Sequence, residues 1–284
     1  MQPPQVAVIT GAAQGIGRAI ALSLASHGYS VALGDISSNQ QRLKQVADEC
    51  IELQKSNSTH DLKTYYGACD VSIESQVESL VEAAVNQLGG IDVMVANAGI
   101  YGAAPLLEIS DELFDRLYAV NVKGVLYSYR AAAKAMIPRG GGRIIGASSM
   151  AGMSGHPNHG AYGCSKSSVR TLTQTAAREW GRYNITVNAY APGAVDTNMS
   201  KLSFVEPSIK LPIDLTSKIT SPEDIAGLVA FLVSPAAKNI TGTIDHYSTP
   251  HPMNNYNRTG NPNRRWNNHV LISTESSIAY KYNV

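Results

Sequence analysis

The sequence has almost no excess of charge of either sign and no long apolar run. Its 284 residues include 23 Lys and Arg and 22 Asp and Glu, which gives a formal net charge of +1. So small a charge creates no general field that would attract nucleic acid or an anionic membrane. No segment approaches the run of about eighteen apolar residues typical of a membrane span, and the N-terminus MQPPQVAVIT lacks the pattern of a secretion signal. We therefore expect a cytoplasmic protein without nucleic-acid or membrane partners.

Cysteine is scarce as well. The three cysteines, Cys50, Cys69 and Cys164, contain no C-x-x-C spacing, so neither a disulfide framework nor a zinc site is predicted. His156 and His159 are close in sequence, but the proline in H-P-N-H disfavours a shared helical face, and no third ligand is nearby. We expect no metal and read both histidines as loop residues, with a polar contact of His156 to a substrate left open.

Apolar β-branched runs alternate with helix-length amphipathic segments. Strands are predicted at 6–10, 30–35, 63–69, 91–99 with its loop, 142–149 and 185–193, and helices at 15–27, up to Leu53, 74–88, 111–136 and 162–180. A further helix is predicted from an N-cap at Ser221 to about Val233, followed by a last strand between 240 and 247. This alternation predicts α/β architecture, a single doubly wound domain whose mostly parallel seven-stranded sheet has helices on both faces.

The amino-acid composition of the chain changes near Asp245. Residues 245–284 are rich in Asn, with Pro, Arg and Tyr but little apolar periodicity. We expect one domain at residues 1–247 and an atypical Asn-rich extension at 248–284.

A glycine-rich stretch, TGAAQGIG at residues 10–17, lies between the first predicted strand and helix. Gly11 permits a tight exit from the strand, Gly15 lets the backbone approach a pyrophosphate, and Gly17 allows the helix to pack closely on the sheet. With Gln14 and Ile16, these glycines would present the helix N-terminus to phosphate. An ordinary turn is the alternative.

The second strand ends at Asp35, where a carboxylate can accept hydrogen bonds from an adenosine ribose. A 2′-phosphate at this point would face the carboxylate with no basic residue in Gly34-Asp35-Ile36, at a cost of roughly 1 to 4 kcal/mol. The sequence therefore favours NAD over NADP. A solvated acid at a strand end is the alternative.

Six features occur together in a familiar order: the glycine-rich stretch, Asn97-Ala98-Gly99, Asn121, Ser149, Tyr162-x-x-x-Lys166 and Pro192-Gly193. In this order and spacing, residues 6 to about 243 resemble the short-chain dehydrogenase/reductase family, whose domain is a Rossmann-type fold. The stretch from Gly160 to Thr197 is similar to acetoin, diacetyl and butanediol dehydrogenases. The resemblance implies an NAD-dependent oxidoreductase that acts on a secondary alcohol or ketone.

The residue types fit that chemistry. Oxidation of an alcohol needs a group that takes the hydroxyl proton, and Tyr162 can do so if its pKa, near 10 for a free tyrosine, is lowered. Lys166 lies four residues on, on the same helical face, and we expect its ammonium and a nicotinamide cation to lower that pKa. The resemblance adds that Lys166 binds the nicotinamide ribose.

The resemblance assigns two further catalytic residues. The family's catalytic serine lies thirteen residues before the tyrosine, which selects Ser149 over Ser148. Its hydroxyl would hold the substrate oxygen. Asn121 corresponds to an asparagine that kinks a helix and holds a water next to the lysine. Each residue has a structural alternative, with Tyr162 as a core aromatic, Ser149 as a cap and Asn121 in a loop.

The resemblance also implies the remaining cofactor contacts. Those near the adenine are Asp70 and Val71, and those around the rest of the dinucleotide are Asn97, Gly99, Pro192, Gly193, Val195 and Thr197.

Substrate and assembly are less determined. An apolar substrate side is expected from Met199, Leu202, Phe204, Val205, Ile209 and Leu211, with Tyr101 and Met153 as further candidates. We expect a small to medium hydrophobic diol, α-hydroxyketone, cyclic or terpenoid alcohol, and a homotetramer or homodimer. Two alternatives stay open. One is an NAD-using epimerase or dehydratase, and the other is a catalytically silent NAD-binding or assembly protein, because the ending after Thr241-Gly242 departs from the family pattern.

Overall fold

The computed structural model describes residues 5–55, 61–203 and 219–247. The expected C-terminal extension at 248–284 lies outside the described residues. So does much of the expected apolar substrate side, namely Phe204, Val205, Ile209, Leu211 and the side chain of Leu202.

Seven strands form one sheet. They are β1 (Val6–Thr10), β2 (Ser30–Asp35), β3 (Thr64–Ala68), β4 (Val93–Ala96), β5 (Gly142–Ala147), β6 (Ile185–Pro192) and β7 (Ile244–Tyr247). Their spatial order is β3-β2-β1-β4-β5-β6-β7, and every neighbouring pair is parallel. The chain changes direction across the sheet between β1 and β4, and ligands of such sheets bind beyond the carboxyl ends of the strands at this point.

Helices cover both faces of the sheet. They are α1 (Gly15–Ser26), α2 (Gln40–Lys55), α3 (Glu74–Leu88), α4 (Asp111–Tyr118), α5 (Gly124–Met136), α6 (Gly160–Trp180), α7 (Asn198–Ser203) and α8 (Pro222–Val233). Buried apolar residues of α1, α2 and α8 form one core, and those of α3, α5 and α6 form another with the opposite side chains of the strands. The doubly wound Rossmann-type fold is thus confirmed. Among the described residues, no helix has both the length and the apolar character needed to cross a membrane.

The long helix predicted at 111–136 is interrupted. A π-helical segment, Ala119–Lys123, separates α4 from α5 and contains Asn121. The Asn121 side chain accepts a hydrogen bond from the Ile100 backbone N–H (2.9 Å) and donates one to the Ile100 carbonyl (3.0 Å). Local π segments are rare and occur often at functional sites. Amphipathic periodicity did not reveal this one because it continues through the segment.

Two strand ends also differ from prediction. β5 ends at Ala147, so Ser148 and Ser149 follow the strand, and Ser149 caps a 3₁₀ turn at Met150–Gly152. β7 begins at Ile244 rather than near 240 because the Asn188 side chain donates to the Ile240 carbonyl (2.8 Å) and accepts from Thr243 N–H (3.2 Å). These side-chain hydrogen bonds accompany backbone bonds from Gly242 N–H to the Val187 carbonyl (2.8 Å) and from Ala189 N–H to the Thr243 carbonyl (3.0 Å).

Candidate functional site

A cavity of about 670 Å³ lies at the carboxyl ends of the strands. Ser149 lines it, and so do all the residues predicted to bind a cofactor: Gly11, Gln14, Gly15, Ile16, Gly17, Asp35, Asp70, Val71, Asn97, Gly99, Tyr162, Lys166, Pro192, Gly193, Val195 and Thr197. Residues separated by more than 180 positions in the sequence therefore share one site, because parallel strands bring their carboxyl ends to the same edge of the sheet.

The glycine-rich loop approaches its neighbours too closely for side chains. A Cβ at Gly17 would lie 2.1 Å from the Gly11 carbonyl oxygen, and a Cβ at Gly11 would lie 2.8 Å from Ala98 Cα. Gly11 and Gly15 have φ angles of +65° and +55°, in the left-handed region that favours glycine. Gln14 precedes α1 without capping it through its side chain. The loop thus forms a narrow backbone cradle at a helix N-terminus, which suits a pyrophosphate.

Asn97 clamps this cradle from the end of β4. Its Nδ2 donates to the carbonyl oxygens of Thr10 (2.9 Å) and Gly11 (3.0 Å). Its Oδ1 accepts a hydrogen bond from the hydroxyl of Tyr190 on β6, at 2.8 Å. The sequence predicted Asn97 at the cofactor but not Tyr190, whose only signal was a tyrosine within an otherwise small-residue strand.

The carboxylate of Asp35 is held by three donors. Oδ2 accepts from Ala13 N–H (2.9 Å), and Oδ1 accepts from Ile36 N–H (2.8 Å) and Asn39 Nδ2 (2.8 Å). The side chain is buried, with 7% of its surface exposed. Its position beside the glycine-rich loop matches the expected ribose contact.

A basic side chain also reaches the loop. Arg42 Nη1 donates to Gln14 Oε1 (3.1 Å), which also accepts from Asn198 Nδ2 (3.2 Å). The expectation of no basic neighbour considered only Gly34-Asp35-Ile36. Arg42 lies on α2, and only folding brings it to the loop.

The adenine side of the cavity is built from the turn after β3. The Asp70 carboxylate accepts from the backbone N–H (2.9 Å) and hydroxyl (2.7 Å) of Ser72. Val71 is buried. Its Cγ2 atom lies 2.6 Å from the position that a Cβ at Gly124 would occupy. At the opposite side of the loop, Thr197 Cγ2 lies 3.3 Å from the position of a Cβ at Gly15.

Tyr162 and Lys166 lie one turn apart on α6, and both are buried, with 9% and 4% of their surfaces exposed. Lys166 Nζ donates to the Ala147 carbonyl at 2.9 Å and lies 5.8 Å from the centre of the Tyr162 ring. Ser149 makes a side-chain hydrogen bond with Tyr162. Ser148 instead donates to the Lys166 carbonyl, at 2.9 Å. The two serines thus differ in role, and the one selected by spacing is the one that contacts the tyrosine.

Asn121 lies behind these residues and is fully buried. Besides its bonds to Ile100, it donates to Ser165 Oγ (3.1 Å), which in turn donates to the Tyr162 carbonyl (2.7 Å). Asn121 Oδ1 and Lys166 Nζ each lie 3.1 Å from the position of a Cβ at Gly99. A side chain at residue 99 would therefore crowd both the Asn121 amide and the Lys166 amine.

Burial shifts the two titratable groups in opposite directions. The pKa of Tyr162 is raised to about 12, because desolvation, joined by the neighbouring Tyr101, outweighs the hydrogen bond with Ser149, which lowers it. Desolvation lowers the pKa of Lys166 to about 8. Desolvation is the largest cause of the Tyr162 shift, and the lowering expected from Lys166 together with a nicotinamide cation stays a prediction. Both neutral forms gain from burial, since a low-dielectric site disfavours either charge.

The wall above Tyr162 contains side chains that the sequence singled out only weakly. The Tyr101 ring packs against the Tyr162 ring with centroids 5.2 Å apart and an interplanar angle of 67°. The Tyr101 hydroxyl and His159 Nε2 are 3.0 Å apart. His156 also lines the cavity but pairs with Ser154. Of the two methionines expected at the substrate side, Met199 lines the cavity and Met153 does not. Tyr190 and Arg116 line the cavity as well.

A family model for short chain dehydrogenases matches residues 5–206. The chain belongs to the short-chain dehydrogenase family. It is therefore an oxidoreductase of the alcohol dehydrogenase and ketone reductase type, as the residues predicted.

Three proteins illustrate the similarity. A short-chain dehydrogenase/reductase of Hericium erinaceus is 43% identical over 246 residues, covering 85% of this chain and 95% of that protein. An L-2,3-butanediol dehydrogenase of Corynebacterium glutamicum is 38% identical over 256 residues, covering 84% and 95%. The solved structure of a 7α-hydroxysteroid dehydrogenase complexed with NADH and 7-oxo glycochenodeoxycholic acid has a TM-score of 0.78 and 33% identity, covering 87% and 93%.

The residues present fit a nicotinamide dinucleotide. The backbone cradle formed by Gly11, Gly15 and Gly17 leaves room that any Cβ would fill, and the fixed carboxylate of Asp35 faces the same cavity. The family uses such cofactors, and this short-chain dehydrogenase has the donor and acceptor groups to hold one.

We predict that Tyr190→Phe weakens NADH binding, because the Tyr190 hydroxyl supports the glycine-rich loop through Asn97. The substitution leaves the partly buried Asn97 Oδ1 without its hydroxyl donor, so the Kd for NADH should rise about fivefold to tenfold in a fluorescence titration. Tyr129→Phe is the matched control, because the Tyr129 hydroxyl pairs with Thr173 (2.9 Å) away from the cavity. It should lower Tm and leave the Kd unchanged. Equal Kd values in Tyr190→Phe and the unmodified protein would contradict the clamp.

We predict a pH-dependent stability that originates at Lys166. Between pH about 8 and the ordinary lysine value of 10.5, the unfolded chain binds a proton that the folded chain does not, so stability rises with pH across this window. The gain is on the order of 3 kcal/mol. The Lys166→Met variant lacks this gain. Its free energy of unfolding, relative to that of the unmodified protein, should therefore be highest below pH 8 and fall as the pH rises to 10.5. Urea unfolding at both ends of the window measures this, with exposed Lys134→Met as control. A constant difference would refute the prediction.

Proposed function

We propose that this short-chain dehydrogenase transfers a hydride between NAD(H) and a secondary alcohol or ketone of small to medium size. The observation that carries the proposal is that Ser149, Tyr162 and Lys166 line the same cavity as the glycine-rich loop and Asp35. The relatives that act on butanediol, and the hydroxysteroid dehydrogenase that binds NADH, support it. Hence the dehydrogenase is favoured over an epimerase, a dehydratase or a silent binding protein.

A bound nicotinamide would supply the hydride acceptor for oxidation of the alcohol carbon and the hydride donor for reduction. The Ser149 hydroxyl then holds the substrate oxygen, and Tyr162 exchanges a proton with that oxygen. Because burial raises the pKa of Tyr162 to about 12, a phenolate needs positive charge nearby, and Lys166 supplies it in its protonated form. The hydrogen bond between Ser149 and Tyr162 lowers the pKa in the same sense.

Asn121 has a positioning role in this scheme. Its amide connects the Ile100 backbone with Ser165, which holds the turn of α6 that carries Tyr162. We propose that a proton passes from Tyr162 toward Lys166 and leaves past Asn121, as the resemblance implies. The position of Lys166 Nζ and Asn121 Oδ1 on the same side of the chain at Gly99, each 3.1 Å from where its Cβ would be, supports this route.

The preference for NAD is part of the proposal. The carboxylate of Asp35 is oriented by three donors and would repel a 2′-phosphate. Arg42 beside Gln14 acts in the opposite sense, but it is exposed and its charge is screened by solvent.

Location and assembly complete the proposal. We propose a cytoplasmic enzyme, since the three cysteines show no disulfide spacing. A homo-oligomer, tetramer or dimer, is supported by the exposed apolar side chains of Leu106 and Leu107, which are 78% and 100% exposed.

We predict that Tyr162→Phe abolishes turnover and keeps cofactor binding. The phenyl ring preserves packing against Tyr101 but has no hydroxyl, so kcat should fall by about 10²–10⁴ while the Kd for NADH changes little. NADH absorbance with a panel of diols, α-hydroxyketones, cyclic and terpenoid alcohols measures the first quantity, and fluorescence titration measures the second. Tyr127→Phe, outside the cavity, is the control. Undiminished turnover in Tyr162→Phe would rule out the mechanism.

We predict that Asp35→Asn relaxes the choice of coenzyme. The amide keeps an acceptor for Ala13 N–H but turns its NH2 group toward the donors Ile36 N–H and Asn39 Nδ2, which weakens the site for both coenzymes alike. Because the charge is lost, the ratio of the Kd for NADPH to that for NADH should fall about tenfold. Fluorescence titration gives both constants without any substrate. Asp48→Asn, an exposed acid on α2 paired with Lys44, should leave the ratio unchanged. An unchanged ratio in Asp35→Asn would remove Asp35 from the preference for NAD.

A further inference from the structure

Gln14 joins the glycine-rich loop to the opposite wall of the cavity. Its Oε1 accepts a hydrogen bond at 3.2 Å from Nδ2 of Asn198, the first residue of α7. Both residues line the cavity and both are solvent-exposed, which places them at its opening. Beside them, Thr197 Cγ2 lies 3.3 Å from the position of a Cβ at Gly15. The segment that leads into α7 therefore rests on the backbone cradle suited to a pyrophosphate.

Arg42 determines which way the Gln14 amide points. A guanidinium can only donate hydrogen bonds, so the atom that accepts from Arg42 Nη1 at 3.1 Å is the amide oxygen of Gln14. The same oxygen has a second lone pair, and Asn198 Nδ2 has hydrogen atoms to donate to it. A side chain of α2 thus orients Gln14 toward α7.

The segment that leads into α7 is held differently at its two ends. At its base, Asp196 N–H donates to the Thr220 carbonyl at 3.0 Å, and Thr220 N–H donates to the Ala194 carbonyl at 3.1 Å. Thr220 is buried, with 3% of its surface exposed. At the tip, the hydrogen bond between Asn198 and Gln14 joins two exposed neutral groups, and water can replace either partner at little cost. The tip can therefore open while the base stays in place.

We infer that the Gln14–Asn198 hydrogen bond is a latch that sets the rate at which NAD(H) enters and leaves the cavity. The inference rests on the proposed function, which assigns the dinucleotide to the glycine-rich loop. A pyrophosphate on that loop lies next to the segment fastened at Gln14, so the bond breaks when the cofactor enters and again when it leaves. Gln14 is in this respect a positioning residue that acts through Asn198.

A latch has a kinetic signature that a contact with the cofactor lacks. A bond that breaks for the passage of the cofactor and re-forms afterwards raises the barrier equally in both directions, and it adds nothing to the free-energy difference between free and bound protein. A hydrogen bond to the cofactor itself would slow dissociation and tighten binding. Loss of the latch therefore accelerates association and dissociation alike.

Stopped-flow fluorescence of NADH with the full chain measures both rate constants. We expect Asn198→Ala to raise the association and dissociation rate constants by the same factor, about threefold to fivefold, which corresponds to one hydrogen bond. Their ratio, the Kd, should not change. Asn86→Ala removes an exposed amide on α3 and is the matched control, which should keep both rate constants. Tm establishes that each variant is folded. A rise of the dissociation rate constant alone would reveal a contact with the cofactor and overturn the latch, and so would two unchanged rate constants.

A double-mutant cycle tests whether the two side chains act through their shared bond. Gln14→Ala removes the acceptor and Asn198→Ala removes the donor, so the combined variant loses no more of this bond than either single variant. The factor by which the combined variant accelerates NADH dissociation should therefore be smaller than the product of the two single factors. If the single factors multiply, the side chains act independently and the inference is wrong.

The same measurements separate the inference from the proposed function. If the unmodified protein binds NADH but Asn198→Ala fails to accelerate both steps, the inference is wrong and the proposed function stands. If the unmodified protein binds no NADH, the cofactor of the proposed function is refuted, and the inference fails with it. Turnover of the alcohol panel tests the chemistry independently, because the latch is measured without substrate.

Discussion

Three hydrogen bonds of the Asn97 side chain hold the ends of three strands together, and the cavity depends on them. Asn97 follows β4, its donors reach the carbonyl oxygens at the end of β1, and its acceptor meets Tyr190 of β6. The loop after β1 has a backbone conformation that only glycine adopts without strain. Such a loop needs a fixed partner to keep its shape. The amide group satisfies the carbonyl oxygens at a point where no strand pairing does so.

The close packing that builds the cavity also controls the protonation of Lys166 and Tyr162. Lys166 and Tyr162 are both removed from water, and burial favours the neutral form of each. The lysine ammonium is held by the Ala147 carbonyl and lies against the face of the tyrosine ring. The proton balance of the site is thus a competition between desolvation, which keeps Tyr162 protonated, and positive charge, which would release its proton. Ser149 also favours release of this proton, because its hydrogen bond with the phenol lowers the pKa of Tyr162.

Much of the fold was predictable from local pattern. The β-branched runs predicted the strands because parallel strands covered on both faces are apolar throughout. Ser221 predicted the start of α8 because its side chain can accept from Asp224 N–H, which it does at 3.1 Å. The helix interruption at Asn121 was implied by the family resemblance but not by the periodic pattern, because the bonds that stabilise the π segment run to Ile100, on another part of the chain. The six-residue helix α7 escaped prediction because it is too short to show a periodic pattern.

The sequence by itself determined which residues carry the chemistry wherever the relevant distance is set within one loop or one helix turn. The three glycines of the phosphate cradle and the pair Tyr162 and Lys166 are of this kind, since backbone geometry alone relates their positions. Only the tertiary structure decided what surrounds them. The contact of Tyr101 with His159 spans 58 positions and that of Tyr190 with Asn97 spans 93. Burial, and with it the direction of each pKa shift, is likewise a property of the packed molecule, because it depends on what the rest of the chain places around a side chain.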